Sequence, residues 1–452
     1  MFPESRVVAM PKIAMPKSSI ARSERASDAF RSVPMPKAVK AFWVVIATTF
    51  CMTLLVAAWG YQARAPQTQW DPLSDPLLGD LMEYPGTYRL LHTAGFFQKP
   101  SIRVLPERMF SAVAYPPFAA VVLAPIYCLG NPVWEFICLA SGALAVLTSF
   151  TRRALYRAGL SAISSTLLPL SVVLLSFPAQ RLVHQGNIEL LVWAFTATGI
   201  WAFLSGRDYT AATFWALAGA MKLYPLALLI LFLPHRRYRA VLLGGSVFVG
   251  VSWLSLWWLG PSVTEAWKGS LHNVFGYQTL RASEWSLREL VANHSLFWLL
   301  KLGAQMAHVS PVKLTTPYYA CGAVLMGWAF HARLRHMPVA NQLLAATVFM
   351  LLLPQVSYFH TLVHLYAPLL NLSFVALSAQ HTGEKIRGLR GTMLLCALLL
   401  TPYTLLTFPK AFLFCGVLQS IVLSVLFLCA LEFPFVERGD RMSPLYPPET
   451  LV

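Results

Sequence analysis

Lys222 stands in the run Ala218-Gly219-Ala220-Met221-Lys222-Leu223-Tyr224-Pro225, inside an apolar stretch bounded by Asp208 and Arg236. An ammonium in the middle of such a stretch costs about 2.5–3.5 kcal/mol on membrane-insertion scales. Pro225 supplies a reason to tolerate it: a proline breaks the segment into a hairpin, carrying Lys222 to the outer water interface, where a cation can neutralise a phosphate. The bland alternative is a lysine snorkelling at a helix end, and the residue alone does not separate the two. Asp71, Asp75 and Asp80 lie in a polar stretch upstream. Each could act as a general base at a water–lipid boundary, where partial desolvation tunes a carboxylate, and each could equally be a solvated surface charge. Arg89, Arg103 and Arg108 in the same stretch are surface charges or partners for a lipid-linked phosphate.

Polar groups recur at the ends of later apolar runs: His184-Gln185-Gly186-Asn187 with Glu189, then Asn293-His294-Ser295, then Ser357-Tyr358-Phe359-His360 with His364. One membrane-end histidine is interfacial decoration. Several such groups converging on one face have the makings of a binding site, which needs a few polar side chains in an apolar setting. The cysteines form no CxxC and no Cys/His cluster with metal-ligand spacing; they read as small hydrophobes, and no metal site is expected.

The elements that must position these residues are membrane spans. The chain is 57% hydrophobic and only 12% charged, with a mean hydropathy of +0.58, and a water-soluble fold of that composition would precipitate. Apolar runs such as Ala41 to Trp59, Ile188 to Leu204, Val241 to Leu259 and Phe412 to Leu431 each approach the roughly 20 residues that cross a bilayer. The formal charge of +16 does not indicate nucleic acid. The basic residues fall in short clusters between hydrophobic runs, as the positive-inside rule produces.

Residues 1–40 are polar and basic, repeat Met-Pro-Lys, and offer no apolar face; they read as a disordered cytoplasmic tail. With that end inside, residues 61–132 form a large outer loop. Its last part, 113–130, is broken by Pro116, Pro117 and Pro125 and reads as a juxtamembrane or half-inserted element. Spans are then expected at 41–59, 133–150, 161–178, 187–204, 210–221, 223–234, 240–260, 314–331, 338–354, 361–379, 391–407 and 411–431. The fold class is thus all-α, a polytopic membrane protein of about 12 transmembrane helices with outer juxtamembrane helices. A transmembrane domain would cover 41–431, and a cytoplasmic tail 432–452.

The polar motifs, taken in order, resemble those of the GT-C superfamily, specifically glycosyltransferase family 87, the polyprenyl-phosphate-mannose-dependent mannosyltransferase type. The resemblance rests on Asp80-Leu81-Met82-Glu83-Tyr84, Tyr115-Pro116-Pro117 with Ala124-Pro125, and Gln185-Gly186-Asn187. It continues in Lys222-Leu223-Tyr224-Pro225, Asn293-His294-Ser295-Leu296 and Pro354-Gln355-Val356-Ser357-Tyr358-Phe359-His360. It covers about residues 41–380. The family pattern has Asn-Gln-Ser where this chain has Asn293-His294-Ser295, and Asp71 and Asp75 rival Asp80.

The resemblance implies a GT-C-like catalytic domain that moves a sugar, mannose by default or a pentose, from a polyprenyl-phosphate donor to an envelope glycolipid or glycan acceptor. The transfer would be inverting and metal-independent, on the outer face of the cell (inner) membrane, with both termini cytoplasmic and no cofactor. Asp80 would be the general base. Lys222, His360 and Arg89 would bind the donor phosphate, and Tyr84, Tyr115, Gln185, Asn187, Asn293, Ser295 and His364 would contact substrate. A secondary transporter or lipid-linked-sugar flippase is the main rival, since intramembrane charge and broken helices also mark transport sites. A non-catalytic envelope scaffold is the second.

Overall fold

The computed structural model describes residues 35–62, 78, 81, 88–93, 95–98, 115–128, 130–283, 293–382, 386–401 and 415–435. Among these residues the chain is helical with no strand. Most of the two expected tails, 1–34 and 436–452, lies outside the described residues, as do Asp71, Asp75, Asp80 and Tyr84 of the expected outer loop.

The first helix, α1, runs Lys37–Gln62. Beyond the loop, α2 (Pro117–Cys128) has 12 residues, about 18 Å at 1.5 Å per residue and too short to cross about 30 Å of hydrocarbon. Then α3 (Pro132–Arg157) starts where Asn131 accepts from the Val133 N–H at 3.0 Å, Pro132 fills the first position and Glu135 sits in the first turn; these are the signals that begin a helix. Ser176 separates α4 (Ala162–Leu175) from α5 (Phe177–Gln185), and the two axes bend by 61°.

The next pair makes the centre of the molecule. Helices α6 (Glu189–Leu204) and α7 (Asp208–Met221) pack face to face. Gly199 makes room for the buried Trp215: a Cβ there would lie 2.5 Å from the indole, whose Nε1 donates to the Thr196 carbonyl at 3.3 Å. At Lys222 the backbone turns extended, with φ −147° and ψ 129°. The chain resumes as a 3-10 helix, Tyr224–Phe232, with Pro225 in its first turn, where the missing N–H does no harm. Seven residues apart on a straight helix is about 10 Å, yet a Cβ on Gly219 would meet Leu226 at 2.5 Å. The chain therefore folds back at Lys222.

The remaining helices are α8 (Tyr238–Leu259), α9 (Val263–Ser283), α10 (Leu296–Met306), α11 (Pro311–Ala332) and α12 (Val339–Leu352). A 3-10 turn, Phe359–Leu365, then runs into α13 (Tyr366–Thr382), followed by α14 (Leu389–Leu400) and α15 (Cys415–Glu432). α12 is buried from Ala340 to Leu352 except at Phe349 and forms the middle of the core. By contrast α3, α8 and α11 turn Trp134, Val146, Leu242, Val249, Trp257, Val324 and Trp328 outward, apolar surface that lipid, not water, can cover.

Among the described residues α3, α8, the Phe359–Leu377 run and α15 are long and apolar enough to cross a membrane, and the bent α4–α5 pair would make a fifth. Other expected spans are realised as shorter helices, 16 residues in α6 and 14 in α12. About twelve crossings is therefore more than helix length alone supports.

Candidate active site

The site begins at the end of α5. Gly186 closes that helix in the left-handed region, φ +64°, a conformation that only glycine adopts freely. It is also a contact point: a Cβ there would lie 2.8 Å from Leu81 Cβ and 3.2 Å from Leu78 Cδ2. Leu78 donates its N–H to the His184 carbonyl at 2.6 Å, and the Leu81 carbonyl accepts from Tyr127 OH at 2.8 Å. Tyr127 stacks on Tyr88, whose hydroxyl donates to Ala120 O at 2.8 Å, and burial holds the Tyr88 phenol well above its usual pKa. The stretch that flanks Asp80 is thus clamped between α2 and the α5 cap.

One residue beyond Gly186, Asn187 Oδ1 accepts the Glu189 N–H at 2.9 Å and caps the start of α6. The Glu189 carboxylate has no exposed surface. Lys222 Nζ donates to Oε2 at 2.6 Å. His364 Nε2 lies 2.6 Å from Oε1, which also accepts from the Tyr224 hydroxyl. Tyr224 OH is in turn 3.3 Å from His364 Nε2, and the Tyr115 ring sits 5.5 Å from the Lys222 ammonium, within cation–π range. Four elements meet here: α6, the Lys222 break, the Tyr224 helix and the Phe359–Leu365 turn. A buried carboxylate left without a cation would be strongly destabilising, so the pairing is what permits Glu189 to be there. His360 is buried beside this group, close enough for the charges of Lys222, Glu189 and Arg181 to act on it.

A second polar group, built from Asn293, His294 and Ser295, grips the segment before that turn. Asn293 Oδ1 accepts from the N–H of Ser295 (3.1 Å) and of Ser357 (3.0 Å), and its Nδ2 donates to Gln355 O (3.1 Å). Ser295 Oγ donates to the same carbonyl at 2.9 Å and accepts from Trp298 N at 3.3 Å. The His294 N–H donates to Ser357 O at 2.8 Å, and its Nε2 lies 2.9 Å from Ser357 Oγ and 3.3 Å from Thr361 Oγ1. Burial pushes the imidazole down to about 3, so it is neutral.

The structure therefore brings Lys222, His360, His364, Tyr115 and Asn187 together. Gln185 is buried at the Gly186 cap, its Oε1 without a hydrogen-bond partner among the described residues. Asn293 and Ser295 point their polar atoms into the protein, as the grip on Gln355 and Ser357. Arg89 is exposed in the segment whose His92 N–H donates to Leu259 O. Sequence reasoning gives Tyr224 and Arg181 no individual role, and Glu189 only a place among the polar groups at the ends of apolar runs. Glu189 had a visible signal, an acid opening an apolar run of 16 residues, with Lys222 the buried cation that could balance it. Arg181, in a short helix, had none.

A model of glycosyltransferase family 87 matches residues 113–354, the interval from just before Tyr115 to just before Gln355, which holds Tyr115, Glu189, Lys222 and Tyr224 and stops short of His360 and His364. A search of curated proteins finds no match. With more than half its length matched, the chain belongs to glycosyltransferase family 87.

Proposed function

We propose that this glycosyltransferase takes its sugar from a polyprenyl-phosphate donor and delivers it, with inversion, to a glycolipid or glycan acceptor at the outer face of the inner membrane. The GT-C-like domain would thread the bilayer about twelve times, with both termini inside. The observation that carries this reading is Lys222: an ammonium at a helix break, its side chain 17% exposed, beside an aromatic ring and among buried histidines. A lipid-linked donor presents its phosphate at the depth of such a group.

In the proposed step the acceptor hydroxyl oxygen attacks the anomeric carbon. The carbon–oxygen bond to phosphate breaks, its electron pair goes to the phosphate oxygen, and the hydroxyl proton goes to Asp80. Lys222, with His360 and Arg89, stabilises the charge that grows on the leaving phosphate, an interaction stronger in the transition state than before it. Tyr84, Tyr115, Gln185 and Asn187 would line the sugar and headgroup, and His364 would act on them through Glu189. Mannose is the first sugar to try and a pentose the second.

The test is transfer from a synthetic polyprenyl-phosphate sugar by the purified protein. Asp80→Asn should abolish it while the protein still folds. Full activity in that variant with loss in Asp71→Asn or Asp75→Asn would move the base, and passage of an intact lipid-linked sugar without a new glycosidic bond would replace the reading with transport.

A further inference from the structure

Glu189 is the most heavily partnered ion of the site and the least accessible. Its carboxylate exposes no surface, and its two oxygens are taken by Lys222 on one side and by His364 and Tyr224 on the other. A group so enclosed cannot receive a proton from substrate; it acts on its neighbours. Lys222 is the reverse case. Its ammonium has three N–H donors on a flexible four-carbon stem; one is spent on Glu189, the Tyr115 ring lies alongside, and the side chain keeps some exposure.

We infer that Glu189 is a positioning residue: it holds the Lys222 ammonium aimed so that the remaining N–H donors meet the phosphate of the lipid-linked donor. This rests on the assignment of Lys222 to that phosphate. His364 and Tyr224 fix the carboxylate from behind, so the cation is preorganised and needs no reorientation when the anion arrives. Two consequences follow. Glu189 and Lys222 act as one unit, so losses on changing each do not add. The charge of Glu189 matters more than its length, so aspartate replaces it better than glutamine.

The experiment measures binding of farnesyl phosphate, with farnesol as the uncharged control, to full-length protein in nanodiscs. Glu189→Gln should weaken farnesyl phosphate about tenfold and leave farnesol unchanged. Glu189→Asp should recover part of the loss, and Glu189→Gln/Lys222→Gln should bind like Lys222→Gln alone. The double variant buries no unpaired charge, so it remains a folded comparison if Glu189→Gln does not fold. Wild-type affinity in Glu189→Gln, equal loss for farnesol, or additive losses in the double variant would overturn the inference. If Lys222→Gln binds farnesyl phosphate like wild type, the phosphate assignment itself fails and the inference with it. If Lys222→Gln loses binding and Glu189→Gln keeps it, the inference alone fails.

Discussion

Two polar groups lie within a few residues of one another on the Gln355–Leu365 stretch, and they are built on opposite plans. The Glu189 cluster carries formal charge, joins residues at breaks and ends of helices, and leaves Lys222 partly open. The Asn293-His294-Ser295 group is neutral, and Asn293 and Ser295 spend their side-chain polar atoms on buried backbone or each other's neighbours. A neutral buried group that satisfies its partners contributes position and stability; a charged group with open donors holds something in reserve for a ligand. The difference predicts different failures: lost turnover from the first, lost folding from the second.

The largest expected effect is on the charged side. Lys222→Gln should lower transfer from a polyprenyl-phosphate sugar by roughly 10²–10³-fold, and so should Glu189→Gln/Lys222→Gln, which leaves no buried charge unpaired and so separates lost turnover from lost folding; near-normal turnover would erase the contrast. On the neutral side, Asn293→Ala should cost about 3 kcal/mol, since it strands the buried N–H groups of Ser295 and Ser357 and leaves Gln355 O with Ser295 Oγ alone. Thermal unfolding in detergent would register this as a lower midpoint, and an unchanged midpoint with abolished transfer would instead make Asn293 a substrate contact.

Gly186→Ala tests the junction between the loop and the cluster. The substitution meets both a left-handed backbone and Leu81, about 1–3 kcal/mol of strain, and turnover should fall more than the melting temperature because the shifted segment flanks Asp80. The smallest effect concerns pH. The folded His294 imidazole titrates near 3 and an unfolded one near 6.5. The unfolded chain thus binds the extra proton between those values, and stability, full above about 6.5, declines as pH falls toward 3. Between pH 7 and 5.5 the loss should be on the order of 1 kcal/mol, read as a drop in melting temperature that His294→Asn removes.

Much of this is legible in the sequence because it is local. Apolar runs mark the helices, Pro225 marks the break, and a lysine in an apolar stretch marks its own importance. What could not be read is pairing across distance. Glu189 finds Lys222 33 residues away and His364 175 residues away, and no periodicity encodes which helix ends adjoin. The same limit applies to Asn293 and Ser295, whose hydrogen bonds to Gln355 and Ser357 cross about 60 residues of chain. A polar triplet at a helix start reads alike whether it faces a cavity or, as at Ser295, caps α10 and holds Gln355. The number of crossings is harder to read for a related reason: an apolar run reports hydrophobicity, while a bend such as the 61° one at Ser176 divides a run into shorter helices.

The Glu189–Lys222 contact has a consequence for how the chain is made. Helices α6 and α7 are joined covalently by the short turn at 205–207, and the ion pair ties their other ends. The two helices are thus a closed ring, stapled once by peptide bonds and once by charge. During synthesis the carboxylate emerges first and the ammonium follows one hairpin later, so the pair forms within a single inserted unit and neither charge has to be carried into the lipid alone. A chain that has lost one of the two would insert the other without its counter-charge, so less of it should reach the membrane even when the protein that does arrive folds.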